Sequence, residues 1–146
     1  FLEFSLGSDG SGHKNLIVPN SGLRDKVLNV KPTLYMNGTE IFNFTLKSIP
    51  NLLDDVLLKN NLEIDDIDLF IFHQANKFML EHLARKLKIP INKFIIDMKN
   101  TGNTVSSTIP ICINKHFDRF KKSRYVLLCG FGVGYSWGAC VIENEI

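Results

Sequence analysis

The sequence predicts an α/β domain in which helices flank a mixed sheet, and two patterns carry this prediction. Continuous apolar runs at 69–72 and 125–129 are typical of strands buried on both faces. Segments with the apolar spacing of helices lie between such runs. Because strands separated by helices usually run parallel, we expect these strands to be neighbours in one sheet. A last strand after a short glycine turn predicts an antiparallel hairpin.

The elements follow in order along the chain. Strands are predicted over 1–6, 16–18 and 34–36, with a loop over 23–31. A helix with Thr39 as its N-cap ends near Asn60, and Pro50 is expected to bend or split it. A helix from about 76 to 88, a strand over 94–96 and a helix from about 105 to 120, broken at Pro110, come next. With the strands at 125–129 and 135–142, the expected core is a mixed five-stranded sheet.

Composition excludes several classes of protein. The 146 residues are 45% hydrophobic and 22% charged, as in a folded domain. A net charge of +2 is too balanced for a dedicated nucleic-acid binder, and no apolar run reaches the ~18 residues that span a membrane. The cysteines lack metal-site spacing and are odd in number, so we expect no metal and a cytoplasmic location. The start lacks Met and signal-peptide features, which suggests a fragment of a longer protein.

Polar and glycine-containing segments follow three predicted strands. His73 follows the run at 69–72, Asn103 lies in the turn at 99–104, and glycines fill 130–134. Because function gathers at the carboxyl ends of parallel strands, we expect these loops to lie on one side of the sheet. Each segment also has an ordinary structural interpretation: His73 is a structural histidine at a strand end, the segment with Asn103 is a turn, and the glycine segment is a bend. The glycine segment also lacks the GxGxxG spacing of a phosphate loop.

Together, these motifs carry a resemblance to a known family. The sequence has HQAN at 73–76, NTGNT at 100–104 and GFGVGYSWGA at 130–139, with SDGSG and MNGTEIFNF upstream. In this order and spacing they resemble the C-terminal half of the β-ketoacyl-acyl-carrier-protein synthase III family, a branch of the thiolase-fold condensing enzymes. The resemblance covers essentially all of residues 1–146. It implies a C-terminal thiolase-like domain whose N-terminal half, with the nucleophilic cysteine, is absent.

The resemblance implies an activity and the residues that perform it. The reaction is a decarboxylative Claisen condensation of an acyl thioester with malonyl-acyl-carrier-protein in fatty acid biosynthesis, with acyl-CoA as donor and no cofactor. By motif, His73 and Asn103 are the catalytic residues that stabilise the enolate oxygen. The backbone amide of Val133 is expected in the oxyanion hole. None of the cysteines matches the family's nucleophile, so the fragment alone is predicted to be inactive; they are Cys112, Cys129 and Cys140.

The segment after His73 implies a binding surface for an acidic acyl carrier protein. In the family this helix helps to dock the carrier, which assigns that role to Gln74, Ala75, Asn76 and Lys77. An ordinary solvated helix face is the alternative for its basic side chains. Phe78 stands where the family commonly has Arg. The other implied partners are the N-terminal half of the same chain and a second copy in a homodimer, with neither nucleic acid nor membrane.

Two other functions remain open. Phe78 and Val133 depart from the family's usual residues, so a related condensing enzyme of a polyketide, quinolone or surface-polysaccharide pathway is one alternative. The chain is alternatively a non-catalytic scaffold or carrier-binding module. A cysteine among small residues at a strand-to-helix junction upstream would distinguish an enzyme from such a module.

Overall fold

The computed structural model describes residues 1–22 and 31–145, so most of the loop predicted at 23–31 lies outside the described residues. The main sheet has four strands in the order β1-β6-β5-β4. These are β1 (Phe4–Ser8), β4 (Leu69–Phe72), β5 (Tyr125–Gly132) and β6 (Ser136–Glu143). The short strands β2 (Leu16–Ile17) and β3 (Tyr35–Met36) form a separate antiparallel pair. The helices are α1 (Gly38–Lys59), α2 (Lys77–Lys86), α3 (Thr108–Lys115) and α4 (Phe117–Lys122).

The main sheet is mixed, as predicted. Strand β4 runs parallel to β5, whereas β6 is antiparallel to both β5 and β1. The hairpin of β5 and β6 is thereby confirmed. The strand predicted at 94–96 is reduced to a single parallel bridge between Phe94 and Phe70. Among residues 1–22 and 31–145, the sheet therefore has four strands and one bridge in the place of the fifth.

The side chain of Gln74 explains why the fifth strand stops after one bridge. Its Nε2 donates to the carbonyls of Phe72 at 2.7 Å and Ile95 at 3.2 Å. Its Oε1 accepts from the Asp97 N–H at 2.9 Å. These are backbone groups that a continuing parallel ladder between the two segments would use. A buried amide thus joins the segments in place of the ladder and fixes the backbone on both sides of His73.

The two faces of β4 are buried against different helices. Phe70 and Phe72 lie in the cluster that includes residues of α1 and α2, whereas Leu69 and Ile71 contact the cluster that includes Cys112 of α3. Alternate residues of a strand point to opposite faces, so helices on both sides require four consecutive apolar residues. This accounts for the apolar run at 69–72 and places the carboxyl end of β4 between two helical layers.

The predicted split at Pro50 and the predicted break at Pro110 are wrong, whereas a bend at Pro50 stays a prediction. Helix α1 continues through Pro50 without interruption, and it begins after Asn37, whose side chain caps the Glu40 N–H, rather than after Thr39. The buried face of α1 stabilises the helix despite the missing N–H of the proline. Pro110 lies in the first turn of α3, where backbone N–H groups have no intrahelical acceptor. The break between α3 and α4 falls instead at His116.

Gly12 packs against an aromatic ring that has little freedom to move. A Cβ atom at Gly12 would lie 2.2 Å from Cε2 of Tyr135. The Tyr135 ring stacks on Phe44 with centroids 4.0 Å apart, and its hydroxyl accepts a hydrogen bond from Asn15. A side chain at position 12 therefore has to displace a ring that is held from two directions.

We expect Gly12→Ala to lower the free energy of unfolding by about 1–3 kcal/mol, the usual cost of overpacking. Gly10→Ala is the matched control in the same turn, because a Cβ there meets no atom within 4 Å. It should change stability by less than about 0.5 kcal/mol. Urea unfolding of both variants measures the difference, and equal midpoints would contradict the packing described for Tyr135.

Candidate active site

The three loops singled out in the sequence converge on one cavity of about 430 Å³. His73, Asn103 and Val133 all line it. The rest of the wall comes mainly from the start of α3 and from the β5–β6 hairpin, and includes Thr108, Ile109, Phe131 and Ser136. The prediction that these loops lie on one side of the sheet is confirmed.

His73 is held at the end of β4 by its backbone and by one ring nitrogen. Its N–H donates to the Cys129 carbonyl at 2.8 Å, which extends the pairing of β4 with β5 by one residue. Its Nδ1 lies 2.8 Å from Oγ1 of Thr108, and the ring lies edge-on to Phe131. Within residues 1–22 and 31–145, Nε2 has no hydrogen-bond partner. The ring therefore leaves one nitrogen free to bind a group in the cavity.

Burial lowers the pKa of His73, and the nearby Val105 carbonyl opposes this shift in part. Because a buried environment penalises the charged form of an imidazole, the ring is neutral at physiological pH. A neutral ring has one donor nitrogen and one acceptor nitrogen. The chemistry available at the cavity therefore depends on which nitrogen carries the proton.

Asn103 presents its amide group from the neighbouring loop. Gly102 has a φ of 63°, which a glycine adopts without strain, and the Gly102 N–H closes the turn onto the Met98 carbonyl at 2.8 Å. The Oδ1 of Asn103 accepts from the Val105 N–H at 2.9 Å. Its Nδ2 has no partner among the residues that the structure describes. With the oxygen engaged, the amide has a free donor.

Val105 connects these two side chains through its backbone. Its N–H donates to Oδ1 of Asn103 at 2.9 Å, and its carbonyl oxygen lies 2.9 Å from the Thr108 hydroxyl oxygen. Its φ of 56° is unusual for a β-branched residue and costs on the order of 1–3 kcal/mol. The strained conformation turns the N–H toward Asn103 and the carbonyl toward Thr108 at the start of α3.

The β5–β6 turn supplies the third side of the cavity. Strand β5 extends to Gly132, so the turn is shorter than the segment at 130–134 predicted from the sequence. Val133 is half-exposed, and its carbonyl accepts from the Ser136 hydroxyl at 2.9 Å. Its N–H forms no hydrogen bond with the described part of the chain. A backbone donor is thus available beside the cavity.

None of the three cysteines lines the cavity, and their surroundings do not favour the thiolate form. All three are buried and free. Burial raises the pKa of Cys112 to about 11 and also raises the pKa of Cys129 and Cys140. In the hairpin, Cys129 lies opposite Ala139 and Cys140 opposite Leu128, so the two sulfurs are not directly paired. These features favour the structural interpretation of all three thiols.

The predicted carrier-binding residues occupy different environments. Gln74 is only 1% exposed and makes its bonds within the protein, so contact between its side chain and a carrier is not retained. Ala75 is half-buried against the core. Asn76 is the N-cap of α2, with its side chain accepting from the Met79 N–H at 2.8 Å. Lys77 is exposed and lies 3.7 Å from Glu81.

Thr108 and Val105 are site residues that the sequence analysis missed. Both lie just after the NTGNT motif, and neither has a side chain that by itself suggests chemistry. Their contribution depends on contacts with His73, 32 to 35 positions earlier in the chain. A threonine at the start of a helix is usually interpreted as part of a cap. Only the packing of α3 against the end of β4 distinguishes this one.

The structure shows neither a metal cluster nor a membrane span in the part of the chain it describes. Among residues 1–22 and 31–145, no three His, Cys, Asp or Glu side chains group as metal ligands would. None of the described helices is both long and apolar enough to cross a membrane.

Comparison with known proteins identifies the family of the chain. Residues 57–144 match the family described as 3-oxoacyl-[acyl-carrier-protein (ACP)] synthase III C terminal. The chain is 32% identical to a beta-ketoacyl-[acyl-carrier-protein] synthase III of Trichormus variabilis, covering 97% of the chain and 46% of the relative. It is 35% identical to the Ehrlichia ruminantium protein of the same name, covering 94% of the chain and 43% of the relative.

The fold is also that of a solved 3-oxoacyl-(acyl-carrier protein) synthase from Burkholderia xenovorans. The TM-score is 0.87 at 38% identity, and the match covers 97% of this chain and 44% of that one. The chain thus spans slightly under half the length of these relatives. By its matched residues and its thiolase-like fold, the chain belongs to the 3-oxoacyl-[acyl-carrier-protein] synthase III family and corresponds to its C-terminal part.

Proposed function

We propose that the full-length protein containing this chain condenses an acyl thioester with malonyl-acyl-carrier-protein in fatty acid biosynthesis. The observation that carries this proposal is the placement of His73 and Asn103, from separate loops, on one cavity. Each has a side-chain nitrogen without a partner among residues 1–22 and 31–145. In the proposal, the N-terminal half supplies the nucleophilic cysteine. The residues described here supply the donors for decarboxylation, and the fragment alone is inactive.

The proposed reaction has two stages. First, a cysteine thiolate attacks the acyl thioester, and the coenzyme A thiolate leaves. Next, the bond between the malonyl methylene carbon and its carboxylate breaks, carbon dioxide departs, and the electron pair forms an enolate. The enolate carbon then attacks the acyl-cysteine carbonyl, and the resulting oxyanion collapses with loss of the cysteine thiolate. The Val133 N–H is proposed to stabilise that oxyanion.

His73 and Asn103 act at the enolate stage. Decarboxylation moves negative charge onto the thioester oxygen, and donors already aimed at that oxygen stabilise the transition state. Nδ2 of Asn103 is a donor in any protonation state, and Nε2 of a neutral His73 is a donor when it carries the ring proton. Because burial keeps the ring neutral, it provides a hydrogen bond without adding a proton to the enolate.

A carrier-docking surface is proposed at the start of α2. Phe78 is 61% exposed, yet its ring lies 4.2 Å from that of His82 and 5.6 Å from that of Phe42. These contacts hold the ring, so it presents an apolar anchor with little entropy to lose on binding. Lys77 and Arg85 lie on the same helix and would attract an acidic carrier. We therefore propose Phe78 and Lys77, with Asn76 and Ala75 as supporting residues, for carrier binding.

The assembly and location of the full-length protein are also proposals. Three free buried thiols are consistent with a reducing compartment, which supports a cytoplasmic location. Exposed apolar side chains on β1, at Phe4 and Leu6, provide contact area for the N-terminal half or for a second copy in a homodimer.

In the full-length protein, we expect His73→Ala and Asn103→Ala each to lower the rate of malonyl decarboxylation roughly 10²- to 10³-fold, the usual cost of one lost oxyanion donor. Acyl transfer to the cysteine should remain near wild type. Release of carbon dioxide and intact-mass detection of the acyl-enzyme measure the two steps separately. Ser106→Ala, at the cavity wall, is the control and should change neither step. Normal decarboxylation in His73→Ala would refute the proposed role.

The acid limb of the condensation should have its midpoint below the unperturbed histidine pKa of about 6.5. Burial lowers the pKa of folded His73, so the ring stays neutral as the pH falls through that value and becomes an imidazolium, which would give its extra proton to the enolate, only at lower pH. The lowered pKa also affects stability. As the pH falls, the unfolded chain binds the His73 proton before the folded chain does, so acid lowers the free energy of unfolding between the unfolded and the folded pKa. The pH dependence of the rate and the His73 resonance measure the midpoint. A midpoint above 6.5 would contradict the effect of burial.

Phe78→Ala should lower kcat/KM for malonyl-acyl-carrier-protein by roughly tenfold or more, as expected for an apolar anchor in an interface. The rate with malonyl-coenzyme A, which lacks the carrier, should stay unchanged. Leu58→Ala removes an apolar side chain of similar exposure on α1 and serves as the control. If Phe78→Ala lowered kcat/KM equally with both substrates, Phe78 would act on the fold rather than on carrier docking.

A further inference from the structure

The hydroxyl of Thr108 faces two acceptors but has one proton. Its Oγ1 lies 2.8 Å from Nδ1 of His73 and 2.9 Å from the Val105 carbonyl oxygen. If the hydroxyl donates to the carbonyl, Nδ1 must carry the ring proton to complete its own hydrogen bond, and a neutral ring then has a bare Nε2. If the hydroxyl donates to Nδ1, the ring proton resides on Nε2.

Only one of these two arrangements suits an oxygen acceptor in the cavity. Nδ1 is occupied by Thr108, so Nε2 is the nitrogen available to a bound group. A bare Nε2 would set its lone pair against the lone pairs of a thioester or enolate oxygen. A protonated Nε2 would donate to that oxygen, as the proposed decarboxylation requires.

The Thr108 hydroxyl can turn from the Val105 carbonyl without leaving it unpaired. The backbone N–H of Thr108 also donates to that carbonyl. Rotation of the hydroxyl toward Nδ1 therefore leaves the Val105 oxygen with one hydrogen bond. Thr108 is 2% exposed, so water does not readily replace its hydroxyl beside the ring.

We propose that Thr108 is a positioning residue that selects the tautomer of His73: by donating to Nδ1, it keeps the ring proton on Nε2, facing the substrate oxygen. This inference rests on the proposed function for the identity of the acceptor. It assigns no contact between Thr108 and the substrate. The Thr108 hydroxyl is within hydrogen-bond distance of both Nδ1 and the Val105 carbonyl, so without it that carbonyl is an acceptor on the Nδ1 side of the ring, which favours the opposite tautomer.

The test compares Thr108→Val, which keeps the branched shape and removes the hydroxyl, with Thr108→Ser, which keeps the hydroxyl. Both are made in the full-length protein labelled with ¹⁵N-histidine. Acetonyl-coenzyme A supplies an unreactive ketone oxygen as the acceptor, and ¹⁵N shifts identify the protonated ring nitrogen at a pH where the ring is neutral. We expect the proton on Nε2 in the wild type and in Thr108→Ser, and on Nδ1 in Thr108→Val.

Malonyl decarboxylation should fall about 10- to 100-fold in Thr108→Val, the usual effect of losing the partner that orients a histidine, and stay within about threefold of wild type in Thr108→Ser. Acyl transfer should be unchanged in both. A wild-type proton on Nδ1 with the ketone bound overturns the inference, and this result needs no variant to fold. If His73→Ala abolishes decarboxylation while Thr108→Val has normal rates, only this inference fails. If His73→Ala has no effect, the proposed function fails.

Discussion

The backbone of Val105 ties together the two side chains on which the proposed chemistry depends. Its N–H fixes the amide of Asn103, and its carbonyl accepts from the backbone N–H of Thr108, whose hydroxyl contacts His73. A left-handed φ at a β-branched residue is the conformation that makes both bonds available. Local strain of this kind persists where the surrounding structure determines it, and here it sets the relative position of two donors.

A second constraint acts on the other side of His73. The buried Gln74 amide bonds to the end of β4 and to the segment 95–97, so the backbone at His73 is held from both directions. As a result, the fifth strand does not form: after one bridge, side-chain hydrogen bonds replace its ladder. The loop that carries His73 gains a fixed geometry at a point where an extended ladder would have continued past it. Rigid support of this kind is what a preorganised site requires.

The sequence predicted what local patterns encode. The apolar run at 69–72 gave the bounds of β4, and the glycine and asparagine turns identified the loops that meet at the cavity. It failed where tertiary contacts decide. Pro50 is tolerated because the buried face of α1 stabilises the helix, and Gln74 looks like a solvent-facing residue until its three bonds are known. Thr108 is part of the site because its side chain contacts His73, which is far away in sequence. No local sequence pattern predicts that contact.

The central claim is that His73 and Asn103 bind one shared oxygen, and a structure of the full-length protein with a bound substrate analogue tests it most directly. The amide isostere of the malonyl thioester keeps the carbonyl oxygen and resists decarboxylation. The account predicts that this oxygen lies within about 2.7–3.2 Å of both Nε2 of His73 and Nδ2 of Asn103. A carbonyl oxygen that contacts neither nitrogen, with the malonyl group seated in the cavity, would contradict it.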